Sequence, residues 1–394
     1  MRTTTFRDVL LEEIAEIKSG VGFPISMQGC ESGDFPFAKV GDISNRARSG
    51  EQFISDAPNW VKNEDLSTLK FTPFPTGTIV FAKIGEAIRQ NFRAVSTRPM
   101  LFDNNVMGVI PQEERVDTTY LYFYLRTLDF YHLAGKPTVP AIRKSTIEKL
   151  KIPLPPLEEQ RRIAAILDKA DGVRRKRKEA IRLTEELLKS TFLEMFGDPV
   201  TNPKGWEKIK LGNLCTIVRG GSPRPINDYL GGSIPWIKIG DATEGDDIYI
   251  HKTAEAIKPD GVKKSRYLEP GSLIFANCGV SLGFARILKI AGCIHDGWLA
   301  FSDLDKSINQ IFLLKLLNSI TEHFRAIAPA GTQPNLNTTI MKNFEIPVPP
   351  IDLQEKFAVV SHYLTDSIKK NSEMFEQSEN LFNSLLQRAF RGEL

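Results

Sequence analysis

The sequence predicts an α+β protein built from two copies of one α/β domain, each followed by a long α-helix. Three observations lead to this prediction. The chain repeats itself at a spacing of about 194 to 200 residues, each copy opens with short apolar runs interrupted by Gly and Pro, and each copy closes with a proline-free stretch of about 40 residues. The expected segments are a first domain over 1–150, a first helix over 151–197, a second domain over 198–345 and a second helix over 346–394.

The internal repeat consists of four matched blocks in the same order. Residues 152–160 (IPLPPLEEQ) return as 346–354 (IPVPPIDLQ), 35–42 (FPFAKVGD) as 234–241 (IPWIKIGD), and 77–82 (GTIVFA) as 271–276 (GSLIFA). In the fourth block, Leu11, Ile14, Ile17 and Gly20 match Leu211, Leu214, Ile217 and Gly220. Four ordered matches rarely arise by chance, so the chain is predicted to be a duplication.

Within each domain the pattern indicates buried strands and helices joined by long loops. Compact apolar runs at Thr78–Lys83 and Ser272–Ala276 are preceded by Gly, as buried strands often are. Helical spacing of Tyr, Leu, Phe and Ile covers Asp117–Leu133 and Ile308–Ile327. Loops on a rigid scaffold often carry binding residues, so we expect the function to lie in these loops.

The two long helices are predicted to share a coiled-coil seam. Each follows a double proline, which fixes an extended chain where a helix can begin. The heptad positions are Ile163, Leu167, Ala170, Arg174, Arg177, Ile181, Thr184, Leu188, Thr191 and Met195 in the first helix, and Phe357, Ser361, Leu364, Ile368, Asn371, Phe375, Ser378, Phe382, Leu385 and Ala389 in the second. Steps of four and three residues sustained over this length favour a coiled coil. The alternative is a pair of long core helices within one compact domain.

The basic run 174–178 in the first helix has two interpretations. It forms either a solvated helix face or a contact with DNA or a partner. Arg174 and Arg177 fall on seam positions, where a polar side chain can fix the register of two helices.

Composition favours an ordinary globular chain without a metal or cofactor of its own. The 394 residues are 41% hydrophobic, and 51 Lys and Arg face 48 Asp and Glu, which argues against a strongly basic surface for nucleic acid. Four cysteines and five histidines show no metal-ligand spacing, and no apolar run suits a membrane span or a signal peptide. We therefore expect a metal-free protein of the cytoplasm.

The motifs of self-sufficient enzymes are missing from the sequence. It has no phosphate-binding Gly-rich loop, no dinucleotide fingerprint and no Asn/Asp-Pro-Pro-Tyr/Phe tetrapeptide of an amino-methyltransferase. Pro259-Asp260 with Lys263 and Lys264 lacks the second acid that a nuclease cluster would need. The sequence predicts binding. Two different copies of one module suit either an asymmetric bipartite DNA site or a two-headed clamp on proteins.

Four strings of the sequence identify a family. They are the block 152–160, which opens the first helix, residues 188–197 (LKSTFLEMFG), which close it, residues 385–394 (LLQRAFRGEL), which close the chain, and residues 331–337 (GTQPNLN). Together, and in this order, they resemble the DNA specificity subunit of type I restriction–modification systems. The resemblance spans essentially the whole chain.

The resemblance implies a non-catalytic subunit. Each domain would be a target recognition domain that reads one half of a split duplex site. The helices would pair antiparallel, as a ruler and as a docking surface for two methyltransferase subunits. Those partners would carry S-adenosylmethionine and methylate N6 of adenine, and translocase/endonuclease subunits would cut unmodified DNA.

Candidate DNA-binding residues follow from side-chain chemistry, because Arg and Lys bond guanine while Asn and Gln bond adenine. They are Lys39, Lys83, Arg89, Gln90 and Arg93 in the first domain, and Lys238, Asn277, Ser281, Arg286, Thr332, Gln333 and Asn335 in the second. Most lie in the loop after the 77–82 strand and its counterpart; Thr332, Gln333 and Asn335 come from the family resemblance. The first domain has residues 136–140 (KPTVP) in place of the GTQPN string, so it contributes no amide there.

Alternative interpretations remain at several of these positions. The loops could be ordinary surface loops, and Lys39 and Lys238 could form ion pairs with the neighbouring acid rather than bind phosphate. Phe37 and Trp236 are expected in the core. For the whole chain, the alternatives are a protein-binding coiled-coil scaffold, or a nuclease or methyltransferase too divergent to show its motifs.

Overall fold

The computed structural model describes residues 6–135, 139–243, 248–279, 281–328 and 335–394. The chain forms two compact units, one of residues 1–180 with 371–394 and one of residues 181–370. Both long helices are divided between the units, so each unit contains one recognition-type domain and a segment of each helix.

The first unit contains a five-stranded sheet in the order β2-β9-β6-β7-β4, a three-stranded sheet in the order β5-β3-β8, and the pair β1-β10. Its elements are β1 (Arg7–Leu10), β2 (Ala15–Ser19), β3 (Phe35–Ala38), α1 (Val40–Ser49), β4 (Phe53–Ile54), β5 (Asn59–Val61), α2 (Asn63–Leu69), β6 (Ile79–Ala82), β7 (Arg93–Ser96), β8 (Leu101–Phe102), β9 (Val106–Pro111), α3 (Thr118–Thr127), α4 (Phe130–Leu133), α5 (Lys144–Glu148) and β10 (Lys151–Leu154), with the first long helix, α6, beginning in this unit and covering Leu157–Phe196.

The second unit contains a five-stranded sheet in the order β12-β20-β17-β18-β14, a four-stranded sheet in the order β15-β13-β19-β16, and the pair β11-β21. Its elements are β11 (Lys208–Lys210), α7 (Leu211–Leu214), β12 (Thr216–Arg219), β13 (Leu230–Ile237), β14 (Tyr249–Ile250), β15 (Glu255–Ile257), α8 (Pro259–Val262), β16 (Arg266–Leu268), β17 (Leu273–Ala276), β18 (Ala285–Leu288), β19 (Gly292–Ile294), β20 (Trp298–Ser302), α9 (Gln310–Ser319), α10 (Thr321–Ile327), α11 (Thr338–Asn343) and β21 (Glu345–Pro347), with the second long helix, α12, covering Ile351–Phe390.

The repeat in the sequence is a repeat in strand order. The two five-stranded sheets match strand for strand, and the 77–82 and 271–276 blocks supply their central strands β6 and β17. The register also matches, since Ile79 lies opposite Val109 as Leu273 lies opposite Phe301. Residues at the same position of the two units can therefore be compared directly.

Gly20 and Gly220 are matched because the backbone leaves no room for a side chain. A Cβ atom at Gly20 would lie 1.9 Å from the carbonyl oxygen of Asp103, and one at Gly220 would lie 2.2 Å from that of His295. In both units the chain leaves the edge strand of the large sheet against the same turn, and only Gly permits that approach.

The predicted strands and long helices are present, with corrections at their ends. Residues 151–154 and 345–347 are strands paired with β1 and β11, so the long helices begin at Leu157 and Ile351. The helical stretch predicted over Asp117–Leu133 is two helices, because Leu128 is extended and the Asp129 carboxylate caps a new helix. The stretch over Ile308–Ile327 is likewise broken at Ile320.

The heptad pattern of the long helices is confirmed by burial, since none of the predicted seam positions is exposed. In the first unit, Arg162 donates to the main-chain oxygen of Leu394 and Arg174 pairs with Glu379, so the helices run antiparallel. In the second unit, the ring of Phe192 contacts that of Phe357 at 5.4 Å between centroids. No helix in the described ranges is both long and apolar enough to cross a membrane.

A buried glutamine joins each long helix to its domain. Gln160 accepts from the main-chain N–H of Asp117 at 2.8 Å and donates to the carbonyls of Arg115 and Pro155 at 3.2 and 2.9 Å. It is the last residue of the IPLPPLEEQ block, so the motif ends on the side chain that fixes where the helix starts.

The same joint recurs in the second unit. Gln354 accepts from the main-chain N–H of Asn309 at 2.9 Å and donates to the carbonyls of Ser307 and Pro349 at 2.8 and 2.7 Å. Neither Gln160 nor Gln354 is more than 1% exposed. We call these two side chains the glutamine clamps.

A buried charge cluster is particular to the first unit. Asp171, 1% exposed at its side chain, receives Arg126 of α3 at 3.2 Å, Arg174 at 2.8 Å and Arg175 at 2.9 Å. Arg174 also reaches Glu379 of α12 at 3.1 Å. The seam arginine predicted to fix helix register therefore forms a bond between the helices, and the basic run is partly internal in this unit.

Replacing Gln354 by Leu is expected to destabilise the protein. The substitution preserves volume but leaves the Asn309 N–H and the Ser307 and Pro349 carbonyls without a partner, at a cost of about 2–4 kcal/mol. The measurement is the free energy of unfolding from urea titration. Glu355→Leu on the exposed face of the same helix turn is the control, and equal values for both variants would contradict the role of the clamp.

The Asp171 cluster predicts an acid-dependent loss of stability. Burial alone would raise the pKa of Asp171, but the charges and hydrogen bonds of Arg126 and Arg174 hold it below the usual value. The stabilisation is therefore complete above about pH 4, the unfolded value, and is lost as the pH falls through the lowered pKa.

We expect Asp171→Asn to lower the free energy of unfolding by about 3 kcal/mol at pH 7, since it leaves buried arginines uncompensated. The difference from the unsubstituted protein should shrink in urea titrations performed at progressively lower pH below 4. Asp366→Asn, at an exposed helix position, serves as control. A deficit that stayed constant with pH would assign the effect to packing.

Candidate nucleic-acid interface

The ends of equivalent strands bring polar side chains together in each unit. In the first unit this strand-end site consists of Ser19 at the end of β2, Lys39 after β3, Lys83 after β6, and Asp103 and Asn105 before β9. The Lys83 ammonium donates to the Ser19 hydroxyl at 3.0 Å, and its main-chain N–H donates to the Asn105 carbonyl at 2.8 Å. The Asp103 N–H donates to the Ala38 carbonyl at 3.1 Å and its carboxylate accepts from the Asn105 N–H at 2.9 Å, so the turn that holds Lys83 also adjoins the strand end before Lys39.

The second unit has the corresponding strand-end site with other side chains. It consists of Arg219 at the end of β12, Lys238 after β13, Asn277 after β17, and His295 and Asp296 in the turn between β19 and β20. The Asn277 N–H donates to the Gly297 carbonyl at 3.0 Å, as Lys83 does to Asn105. The two sites thus share a backbone while their side chains differ.

In each domain, the segment that precedes the last short helix (α5 or α11) pairs with the loop after the central strand. In the second unit, Cys278 bridges to Asn335, and the buried Asn277 amide donates to the Asn335 side chain at 3.0 Å. In the first unit the same bridge joins Ile84 to Ala141. The structure therefore places Asn335 beside Asn277, whereas Thr332 and Gln333 lie outside the described residues.

The acids next to Lys39 and Lys238 do not form ion pairs with them. Asp42 and Asp241 each accept the main-chain N–H of that lysine at 2.7 Å and so cap the following helical turn. The Lys39 ammonium donates to Gln28 at 3.0 Å. The Lys238 ammonium instead contacts Glu255 at 2.5 Å, an acid 17 residues away.

Phe37 and Trp236, two residues before these lysines, are 0% and 1% exposed. Both rings are core residues, as expected from the sequence. Trp236 lies under the strand-end site, with its ring 5.8 Å from that of His295.

Arg89 and Gln90 lie on an exposed helical turn away from this hydrogen-bond network. Arg89 pairs with Glu86 at 2.9 Å and lies over the Tyr131 ring, whose hydroxyl it contacts at 2.6 Å. Gln90 accepts from Arg48 at 2.9 Å. These side chains are accessible, but each already has a partner on the same surface.

Arg93 is placed in the interior, which argues against its predicted contact with DNA. It is 3% exposed, lies over the Phe130 ring at 3.9 Å, and donates to the Leu128 carbonyl at 2.9 Å. Burial lowers its pKa, and the charge of Arg126 lowers it further. Arg93 therefore holds the turn before α4 in place.

Arg286 is not the counterpart of Arg93, although both close equivalent loops. Arg93 lies opposite Phe81, whereas Arg286 lies opposite Ile274, and the residue opposite Phe275 is Ala285. A shift of one residue along a strand places a side chain on the other face of the sheet. Arg286 lies over the Phe284 ring at 4.8 Å. The remaining candidate, Ser281, is half-buried in the loop before β18.

The structure adds residues that the sequence prediction missed. The Asp296 carboxylate accepts from the Ser222 hydroxyl at 2.5 Å, and it lies 3.0 Å from His295 Nε2 and 3.8 Å from Arg224. Arg219 donates through Nε to the main-chain oxygen of Asp296 at 2.8 Å. Their sequence separation of up to 77 residues gives no motif. A position-by-position comparison of the repeat would have shown that Arg219 occupies the position equivalent to Ser19.

Electrostatics at this second site favour an anionic Asp296 beside cations. Burial alone would raise the pKa of Asp296, but the Ser222 hydrogen bond and the charges of His295, Arg219 and Arg224 bring it below the usual value. Burial lowers the pKa of His295 despite the adjacent carboxylate. No three His, Cys, Asp or Glu side chains of the described ranges are arranged to hold a metal ion.

Comparison with known proteins identifies the family. A family model described as the type I restriction modification DNA specificity domain matches residues 4–183 and 203–374. The chain belongs to this family. It is 24% identical over 411 aligned positions to the MjaIX type I restriction enzyme specificity subunit of Methanocaldococcus jannaschii, with 98% of this chain and 92% of that protein covered.

Solved structures show the same fold. The S subunit of a type I restriction–modification system from M. genitalium gives a TM-score of 0.63 at 15% identity, with 99% of this chain and 97% of that chain covered. A structure from work on complex assembly and conformational transition of the type I system gives 0.55 at 21% identity, covering 99% and 98%. The predicted class, a specificity subunit and not an enzyme, is confirmed, as is the predicted fold class of two α/β domains with two long antiparallel helices.

The specificity subunit offers a direct test of the two arginines in its first domain. Arg93→Ala should lower the thermal unfolding midpoint, because it removes a buried ring contact and the hydrogen bonds that the guanidinium donates to Leu128 and Asn91, a loss of about 2–4 kcal/mol. Arg89→Ala, at an exposed position, should leave the midpoint unchanged. Both are measured by calorimetry. If Arg93→Ala kept full stability, its assignment as a structural residue would be wrong.

Proposed function

We propose that this specificity subunit reads an asymmetric bipartite duplex, one half with each domain. The observation that carries the proposal is the pair of strand-end sites, which have the same backbone and different side chains. Lys83 and Asn277 occupy one equivalent position, and Ser19 and Arg219 another. Direct readout of bases needs such donors and acceptors, and different donors select different bases.

The near-neutral charge suits a subunit that binds DNA together with partner subunits. With a formal net charge of +3 over 394 residues, the chain carries little general attraction for phosphate. Much of the contact with the DNA backbone would then come from partner subunits, while this chain supplies base contacts.

The long helices support the proposal of protein partners. In the second unit, Val359 and Tyr363 of α12 are 71% and 75% exposed, and in the first unit Met374 and Leu381 of the same helix are also exposed. Large exposed apolar side chains on one element are typical of protein–protein interfaces. We assign this helix to docking of methyltransferase subunits, two in the full complex.

The chemistry would belong to those partners. They would bind S-adenosylmethionine and transfer methyl to N6 of adenine, and translocase/endonuclease subunits would cleave unmodified DNA. A cytoplasmic location follows from access to the genome.

Methylation mapping tests the proposal. The chain is co-expressed with its methyltransferase partner in a host free of N6-methyladenine, and the genome is sequenced for modified bases. We expect methylation at one split motif, and none when the chain is omitted. Methylation that is independent of the chain, or binding of proteins without any duplex, would favour a scaffold instead.

Exchanging residues 1–150 for the equivalent domain of another family member should change one half of the motif and leave the other intact. The reason is that each domain has its own sheets and its own strand-end site. The same mapping measures the result. An exchange that altered both halves would show that the two domains read the site jointly.

A further inference from the structure

Arg219 of the second strand-end site and Arg266 beside it are each held by a main-chain oxygen at one side of the guanidinium. We propose that Arg219 and Arg266 are specificity-determining residues, which read guanine in the half-site of the second domain. This inference rests on the proposed function and adds which base and which side chains are involved.

Each of the two guanidinium groups is oriented by a hydrogen bond from its Nε to a main-chain oxygen. Arg219 ends β12 and donates through Nε to the main-chain oxygen of Asp296 at 2.8 Å. Arg266 begins β16 and donates through Nε to the main-chain oxygen of Arg219 at 2.9 Å. Both side chains are exposed. A guanidinium fixed at Nε keeps its two terminal nitrogens for another acceptor pair.

The turn that holds Arg219 is itself fixed by side chains. Asp296 accepts from the Ser222 hydroxyl at 2.5 Å and lies 3.0 Å from His295 Nε2, and the next N–H, of Gly297, donates to His295 Nδ1 at 2.9 Å. These bonds set the direction of the Asp296 carbonyl and so of the Arg219 side chain. A side chain oriented before binding loses less entropy when it binds.

Guanine and phosphate both offer a pair of acceptors to the forked terminal nitrogens of a guanidinium. The surroundings of Arg219 and Arg266 favour guanine. The Asp296 carboxylate is 34% exposed in the same cluster, and its negative charge would repel a phosphate group placed against the arginines. Base edges in the major groove instead present donors beside acceptors, and Arg bonded to guanine O6 and N7 is the commonest specific contact.

The first domain lacks both arginines at the equivalent positions. Ser19 is the counterpart of Arg219, since both lie two residues after the matched isoleucine of the edge strand. Thr72 is the counterpart of Arg266, because Phe74 bridges to Met100 as Leu268 pairs with Gly292. Guanine readout of this kind is therefore confined to the second half-site.

The experiment compares Arg219→Lys and Arg266→Lys with the unsubstituted chain in the reconstituted methyltransferase complex. Lysine retains the charge and loses the fork, so a base reader is impaired while a phosphate contact largely survives. Binding is measured on duplexes in which each base pair of the motif is changed in turn, at several salt concentrations. Lys263→Ala, at an exposed position in the loop before β16, is the control.

We expect each arginine variant to lose roughly 10- to 100-fold in discrimination at a guanine position of the second half-site. Discrimination in the first half-site and the salt dependence should not change. Arg219→Ala and Arg266→Ala should abolish the same preference. Thermal unfolding of every variant distinguishes loss of readout from loss of fold.

Two results would overturn the inference. Uniform weakening across all duplexes, with a lower salt dependence in the alanine variants, would show phosphate contacts. Unchanged discrimination at every position would show that the arginines do not touch the DNA. Failure of the proposed function looks different, because the unsubstituted complex would then select no sequence at all.

Discussion

The arrangement of each unit depends on one buried amide. Gln160 and Gln354 each form three hydrogen bonds at the point where a long helix leaves its domain. A buried amide with all these partners satisfied holds a unique geometry, because any displacement leaves several groups unpaired. The direction of each helix is therefore set relative to the sheet within its own unit. The hydrophobic seam then extends that direction along the helix.

The two units share the backbone of the strand-end site and differ in the polar side chains that it carries. The backbone that forms each strand-end site is shared down to the close approach at Gly20 and Gly220. At the equivalent positions the first unit presents Ser19 and Lys83, where the second unit presents Arg219 and Asn277. Along the helices the first unit adds a buried ion cluster at Asp171, where the second unit has Thr365. Duplication thus preserved the frame while its polar surface diverged.

Repetition and periodicity made the fold predictable from the sequence, and long-range geometry limited the prediction of the site. The heptads were predicted from alternating steps of four and three residues along each helix, and burial of the seam confirmed them. Lys39, Lys83 and Asn277 were found because they follow strands that the matched blocks mark. Arg93 was misplaced because an arginine after a strand looks the same in sequence whether it points to solvent or into a ring. Asp296 was missed because Arg219 and Ser222, which contact it, lie 77 and 74 residues away from it in the sequence.

The glutamine clamps also bear on how such a protein can change over generations. Every partner of Gln160 and Gln354 is a main-chain atom, so the joint between domain and helix makes no demand on the side chains around it. A domain that arrives by recombination with another gene finds the same N–H and carbonyl groups to meet, whatever its sequence. New recognition can then be inherited in a single event, without a period in which a mismatched joint must be repaired by further mutation.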